Sequence, residues 1–484
     1  MALATYPPAF HRKVITLEAP GGPAREVCLV APTIVARDEP FRLKVAVLDA
    51  IGYPSVEFEG SVWIRARFAS ESLIEVPFRP GRAAVAMVEG VSIAEEGMFR
   101  FEARLGDALF HSNPACCQRR PERRIYWGDP HVHTVLSNCH AVRCRSTNFC
   151  YAAARYLTGL DWVSAADHVS NGRCELARWK EQMAGCEAHD DPPDFVTLPA
   201  FEASLKGGCG GDTNPYFRRA PDMFVDEYEE GDVKTLCAKL AEKVDPADFF
   251  VVPHHTTRTG KHGEIPDAIY PGPELMPVVE IHSKWGTSEY RGNPNPLHDI
   301  HPGPSYVVDL LNRGLRLGFI GGTDSHATMP SGRGVESDAH DRLPGLTAVF
   351  ADGLSRDAVF DGIRSRHCYA TSLERIYLDV SVGGISQGQA APWPQADRPR
   401  SIQVIAAAKS DIISVDVVRN GETVHRHPVG HWQTGFLFDD AESLDALWLD
   451  SPHLGCFAYT YVRVTCASGA QAWSSPVWLL APPA

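Results

Sequence analysis

The alternation of hydrophobic and polar positions changes rhythm twice along the chain. Over the first 120 residues, short runs such as "EVCLVAP", "FRLKVAVLD", "SVWIRARF" and "MFRFEARLG" alternate apolar with polar side chains between Gly/Pro turns. Period-two alternation sends one strand face into a core and the other into water, so 1–120 reads as an all-β domain with sandwich spacing. The pattern then changes. In "STNFCYAAARYLTG", Ser146 suits an N-cap, Phe149, Ala153 and Tyr156 share one helical face, and Gly159 provides a stop. A strand, "LDWVSAAD", follows at once, and apolar runs recur in "DFVTLPAFE", "DFFVVPHH", "MPVVEIHS" and "LRLGFIGGTDSH", the last preceded by the helical "YVVDLLNRG". Strands alternating with helices predict βα units and a parallel barrel or sheet over 121–373. Beyond it "GGISQGQAAPWPQADRPR" is a Pro/Gly-rich loop and "VDVVRNGETVH" carries an Asn420-Gly421 hairpin signal, so 374–484 reads as a second β-sandwich. No solenoid period or low-complexity tract interrupts this order.

Composition narrows the picture. A chain of 484 residues, 44% of them hydrophobic, exceeds what one core organises, consistent with two to four domains. Its 46 basic against 60 acidic residues leave a net charge of −14, and no Lys/Arg run marks a nucleic-acid arm. No stretch approaches the ~18 apolar residues of a membrane span, and "MALATYPPAFHRKVITLEAP" lacks an apolar secretory core. Thirteen cysteines, scattered singly apart from Cys116-Cys117, point to reduced thiols in a cytoplasm. The expected partner is a small molecule rather than nucleic acid or membrane, and a homo-oligomer is compatible with this composition.

The chemistry gathers at the ends of apolar runs. His131 and His133 end the first, followed by Asp167-His168, Glu202, His254-His255, and Asp324 with His326. Residues i and i+2 of a strand share a face, so His131 and His133 can point at one spot, as can Asp324 and His326. In a (β/α) barrel the C-terminal strand ends converge, which brings such residues into one pocket. Imidazole and carboxylate donors together suit Mn²⁺, Zn²⁺ or Fe²⁺ and argue against Ca²⁺. Lys284, Arg258, Lys261, Arg291 and His282 lie just beyond strand ends, where they can neutralise an anionic substrate or a developing oxyanion. His255 is the candidate general acid for a leaving group.

The segments "GDPHVHT", "SAADH", "PAFE", "VVPHH", "VVEIHSKWGTSE" and "GFIGGTDSH", in this order, resemble the polymerase and histidinol phosphatase (PHP) superfamily of metal-dependent hydrolases. The closer similarity is to a large branch that includes carbaryl hydrolase, in which the catalytic domain sits between β-domains. "GLTAVFADGLSRDAVFDGIRSRHCYATS" and "RVTCASGAQAWSSPVW" resemble that branch too. The resemblance implies an α/β fold, a distorted (β/α)₇ barrel flanked by N- and C-terminal β-sandwich domains, with two or three divalent transition-metal ions at the barrel's C-terminal face. It implies that His131 and His133 bind a first ion with Glu202 and Asp324, that Glu202 bridges to a second held by His254, and that His168 and His326 hold a third or act on substrate. Beyond the paired histidines the family usually has an Asp or His ligand. Here Cys139 or His140 fills that slot, and His140 is preferred because neutral imidazole is available without loss of a proton. Where the branch typically has Gly-His before an Asn, this chain has Asp212, which stays open between a metal ligand and a loop acid.

The function expected is ester hydrolysis by a hydroxide held between metals, with phosphate esters favoured slightly over carboxylesters or carbamates. "GGCGG" lacks the GK[ST] ending of a phosphate-binding loop, which excludes P-loop chemistry. The alternatives are a non-haem iron oxygenase, which needs one iron and three ligands where this chain offers eight or nine, and a binding module whose metals only stabilise it.

Overall fold

The computed structural model describes residues 2–66, 68–69, 72–137, 144–168, 176–205, 208–221, 231–258, 263–297, 305–332, 343–393 and 397–482. The architecture is mixed and strand-rich. In the N-terminal part, Leu3–Thr5, Val85–Val91, Phe41–Leu48 and Glu26–Val30 form one four-stranded sheet. Ala108–His111, Glu102–Leu105, Gly60–Arg65 and Leu73–Phe78 form another. Strand Leu73–Phe78 alternates exposed and buried residues without exception, and its Ile74 and Val76 join Val27, Val45, Val62 and Ile64 in one core. The all-β expectation needs one correction. Ala9–Glu18 is a helix, which buries Ile15 against Phe149 and Ala152 of the central region.

In the central region Ser146 caps the helix Thr147–Ala152, its side chain accepting from the Phe149 amide. The chain continues as a π-turn over Ala153–Leu157 and leaves it through Gly159 at φ +69°, a left-handed conformation that glycine adopts without strain. Arg124–Val132, Trp162–Ala165 and Val196–Thr197 pair in parallel, as do Val278–Ser283 and Gly318–Gly321. The expectation of wholly parallel pairing is corrected elsewhere. Asp212–Phe217 runs antiparallel to Phe249–Pro253, and Gly345–Ala351 antiparallel to Arg124–Val132. Among the described residues the ladders form three fragments rather than one closed ring. The fragments nonetheless share an apolar interior, where Trp162, Val196, Tyr216, Val252, Val278 and Ile320 pack together.

The C-terminal strands extend the same sheet. Cys368–Ser372 pairs with Gln471–Ser474, so hydrogen bonding crosses the expected boundary near 373. Strand Arg400–Arg419 is shared between two ladders. Ile402–Ala407 pairs with Tyr377–Val382, while Ile412–Arg419 pairs with Gly455–Cys466. A register shift between Ala407 and Ile412 marks the transition. The partner strand Glu422–Asp440, reached through Asn420 and Gly421 at φ 49° and 85°, doubles back far enough to stack His425 on Phe438 at 4.4 Å. Ile402, Val404, Val415, Val417, Val462 and Val464 then fill one core between the two halves.

Candidate metal centre

The strand Arg124–Val132 delivers His131 and His133 to its C-terminal end, where a second segment is laced beside it. The Asp324 amide donates to the His131 carbonyl at 2.8 Å, and the His133 amide to the Ser325 carbonyl at 3.0 Å. This short parallel pairing brings two sequence-distant i, i+2 motifs side by side. Asp129 braces both segments, since its carboxylate accepts from the His131 amide, the Thr323 amide and hydroxyl, and the Ser331 amide. Burial pushes its pKa up to about 6, against the pull of those four donors. Asp167 plays a similar part for the next loop by accepting from the Thr134 amide and hydroxyl.

Two carboxylates stand at the centre. Glu202 Oε2 lies 3.1 Å from His133 Nε2, 3.5 Å from His131 Nε2 and 3.4 Å from His168 Nδ1, while its Oε1 lies 3.2 Å from His254 Nε2. Asp324 Oδ1 lies 2.9 Å from His133 Nε2 and 3.4 Å from His131 Nε2, while its Oδ2 lies 3.3 Å from His255 Nε2. Three donor sets result, namely His131, His133, Glu202 and Asp324; His133, His168 and His326; and Asp212, His254 and His255. Within each set the ligand atoms lie within 4.8 Å of one another.

The donor chemistry fits divalent ions. His131 Nε2, Glu202 Oε2 and both nitrogens of His254 are buried and make no hydrogen bond among the described residues, which polar atoms seldom tolerate without another partner. Burial alone would raise the pKa of Glu202 and Asp324, but the surrounding imidazoles hold both well below the ordinary carboxylate range. Burial would lower His131, yet Asp324 and Glu280 raise it well above the usual imidazole value. A proton there answers the same field that a cation would. Asp324 and His255 also adopt left-handed backbone, at φ 51° and 54°, a conformation uncommon for residues other than glycine and frequent at functional sites.

The other expected residues divide. His168 and His326 are 12% and 13% exposed while the other described ligand candidates are almost fully buried, so solvent reaches the centre along the His168 and His326 edge. Arg258 lies 4.9 Å from the Trp285 ring centroid. Lys284 is buried at the tip of the tight turn joining Val278–Ser283 to Gly286–Thr287, its amide donating to the Thr323 carbonyl. His282 is placed differently from the catalytic expectation. Its Nδ1 meets the Thr287 hydroxyl, its Nε2 meets the Leu343 carbonyl, and its ring stacks on Trp473. Arg291 is exposed and sits over the Tyr306 ring. Cys139, His140 and Lys261 lie outside the described residues.

Sequence reasoning passed over four contributors. Asp129 and Ser137 brace the paired histidines, the Ser137 hydroxyl meeting His133 Nδ1 at 2.9 Å. Trp285 presents its ring near both His255 and His326, with centroids 6.0 and 5.8 Å apart. Glu280 contacts His131 Nδ1 at 3.2 Å. The available signal for Glu280 was an acid inside the apolar run "VVEIHS".

No family model matches the chain. It is 24% identical over 485 residues to an uncharacterised protein of Chlamydia pneumoniae, covering 96% of this chain and 76% of that protein. It is 35% identical over 219 residues to an uncharacterised protein of Chlamydia trachomatis, covering 43% of this chain and 35% of that protein. Solved structures that align with it include a Salmonella alpha-2-macroglobulin reacted with methylamine, at 9% identity, covering 96% of this chain and 24% of that one with a TM-score of 0.17. A Bacteroides uniformis beta-glucuronidase aligns at 9% identity, covering 95% of this chain and 61% of that one with a TM-score of 0.19. At such scores no common fold is shown.

Proposed function

We propose that this chain is a metal-dependent hydrolase that cleaves an ester bond at the His131, His133, Glu202, Asp324 centre. The observation that carries this reading is the division of labour in two carboxylates: Glu202 and Asp324 each turn one oxygen to one group of histidines and the other to a different histidine. A carboxylate so shared suits neighbouring ions, which a metal used only for stability has little need of. The three ladder fragments around a common interior, with His131, His133, His168 and His254 at or just past the C-terminal ends of strands, also support a distorted (β/α)₇ barrel of the PHP type.

Two or three divalent ions, when bound, would supply a water of lowered pKa and positive charge for a substrate oxygen. The residues around them have separate tasks. Buried His131, His133, Glu202, Asp324 and His254 hold the charge away from bulk water. His255 joins Asp212 and His254 in the third donor set rather than serving as a free acid. The His168 and His326 edge faces the incoming substrate, with Trp285 as an apolar wall beside it. Arg258 supplies a cation over that wall, which favours phosphate esters, whose developing charge spreads over several oxygens. Trp285 favours a second reading, an aryl carboxylester or carbamate whose ring packs on the indole. Eleven described cysteines are free thiols, which supports a reducing cytoplasm as the compartment.

Elemental analysis of the purified chain should find two or three transition-metal ions, and the His131→Ala, Asp324→Ala double variant should lose them while remaining folded. The metal-loaded chain should hydrolyse at least one of an aryl phosphate monoester, a phosphate diester, an aryl carboxylate and an aryl carbamate offered with Mn²⁺, Zn²⁺ or Fe²⁺. Less than one ion per chain overturns the metal reading. A metal-loaded chain that turns over none of these substrates overturns the hydrolase reading and leaves the binding module.

A further inference from the structure

We infer that Glu280 is a positioning residue that selects the tautomer of His131, holding the proton on Nδ1 so that Nε2 presents its lone pair to the ions. The inference rests on the metal reading above and deepens it. Glu280 lies in the middle of Val278–Ser283, inside the apolar interior, and is only 3% exposed. A carboxylate buried there is strongly disfavoured without a partner. The partner is His131, whose Nδ1 stands 3.2 Å from Glu280 Oε2, and among the described residues no Lys or Arg pairs with Glu280.

The rest of His131 is already fixed. Its amide is held by Asp129 and its carbonyl by the Asp324 amide, leaving the ring as the part still to be oriented. Gly322 shows how tightly the pair is seated, because a Cβ there would lie 2.6 Å from Glu280 Oε2 and 2.9 Å from His131 Cβ. A carboxylate only accepts when ionised, so it calls for N–H at Nδ1 and leaves Nε2 as the donor atom turned toward Glu202 and Asp324. The same negative charge makes the imidazole a stronger ligand. At His133 the Nδ1 contact is of another kind: it meets the Ser137 hydroxyl, which can donate or accept and carries no charge. The Glu280 contact is therefore a charged brace on His131, and the Ser137 contact an uncharged one on His133.

The test is competitive titration of metal-stripped protein with Zn²⁺ against a chromogenic chelator, comparing the native chain with Glu280→Gln and Ser137→Ala. Glutamine keeps an acceptor and nearly the same volume but removes the charge. The expected result is one zinc step weakened by about 10- to 100-fold in E280Q, the other steps unchanged, and a change below about threefold in S137A. Long-range ¹H–¹⁵N spectra of histidine-labelled, zinc-loaded native protein should show His131 protonated at Nδ1, identified by its loss in His131→Asn. Equal zinc affinity of native and E280Q proteins overturns the inference, as does equal weakening of every step. A native chain that binds no zinc instead overturns the metal reading. If E280Q does not fold, the tautomer of the native chain decides, and protonation at Nε2 overturns the role of Glu280.

Discussion

Asp129 carries more of the centre than its place outside the three donor sets suggests. Its four accepted hydrogen bonds tie the "HVH" segment to Thr323, just before Asp324, and to Ser331 beyond it. Asparagine is nearly the same size, but its amide nitrogen donates where two of those bonds need an acceptor. Asp129→Asn should therefore lower stability by about 2–3 kcal/mol, read from urea denaturation, and loosen zinc binding as the two segments separate. At this scale the sequence was legible where the signal was local. His131 with His133, and Asp324 with His326, were evident because strand alternation is set within three residues. Glu280 and Asp129 escaped because their importance lies in atoms they meet 149 and 194 residues away.

Among the elements, the helix starting at Ser146 formed where an N-cap followed by one apolar face announced it. Ser355 begins Arg356–Arg364 in the same way, its hydroxyl accepting from the Ala358 amide. Ser355→Ala should cost about 1 kcal/mol in denaturant unfolding, since the Ala358 amide loses its side-chain acceptor. Strand Arg124–Val132 has a different requirement. A Cβ at Gly128 would lie 2.1 Å from the Trp162 ring, so Gly128→Ala forces the neighbouring parallel strand outward and should destabilise by at least about 1–3 kcal/mol, with weaker metal binding as a secondary effect. The helices Ala9–Glu18 and Leu176–His189 meet through His11 and His189, whose rings are 5.6 Å apart. Burial, then His11 and Arg155, push His189 down to about 4 from 6.5. Because its folded pKa is depressed, the neutral ring's contribution is complete above about 6.5 and is lost as pH falls toward about 4, where the unfolded chain takes up the proton more readily. Melting temperature should fall across that window, and His189→Gln, which can still donate to Asn148, should fall less.

The central and C-terminal regions are joined by Glu289, buried just past the Lys284-Trp285 turn. It accepts from the Tyr461 hydroxyl and Arg463 guanidinium at 2.6 Å and from the Trp473 indole at 2.7 Å, all three from C-terminal strands, and Trp473 in turn stacks on His282. Glu289→Gln removes the charge facing Arg463 and at least one acceptor. It should cost on the order of 3 kcal/mol and split a joint unfolding transition into two, followed by tryptophan fluorescence and circular dichroism. The sequence by itself determined the order of β, α/β and β regions, the helix cap at Ser146, the hairpin at Asn420-Gly421 and the strand-end histidines and acids, because each depends on the alternation or turn chemistry of a few adjacent residues. Only the tertiary structure decided that the sheet runs on past residue 373, that part of the central pairing is antiparallel, and that His282 is spent on Thr287 and Leu343. It also decided that Glu202 and Asp324 share their oxygens among separate groups of histidines. Those outcomes depend on which strands become neighbours and in what register, and register is set by the packing of side chains far apart in the chain, which no local period encodes.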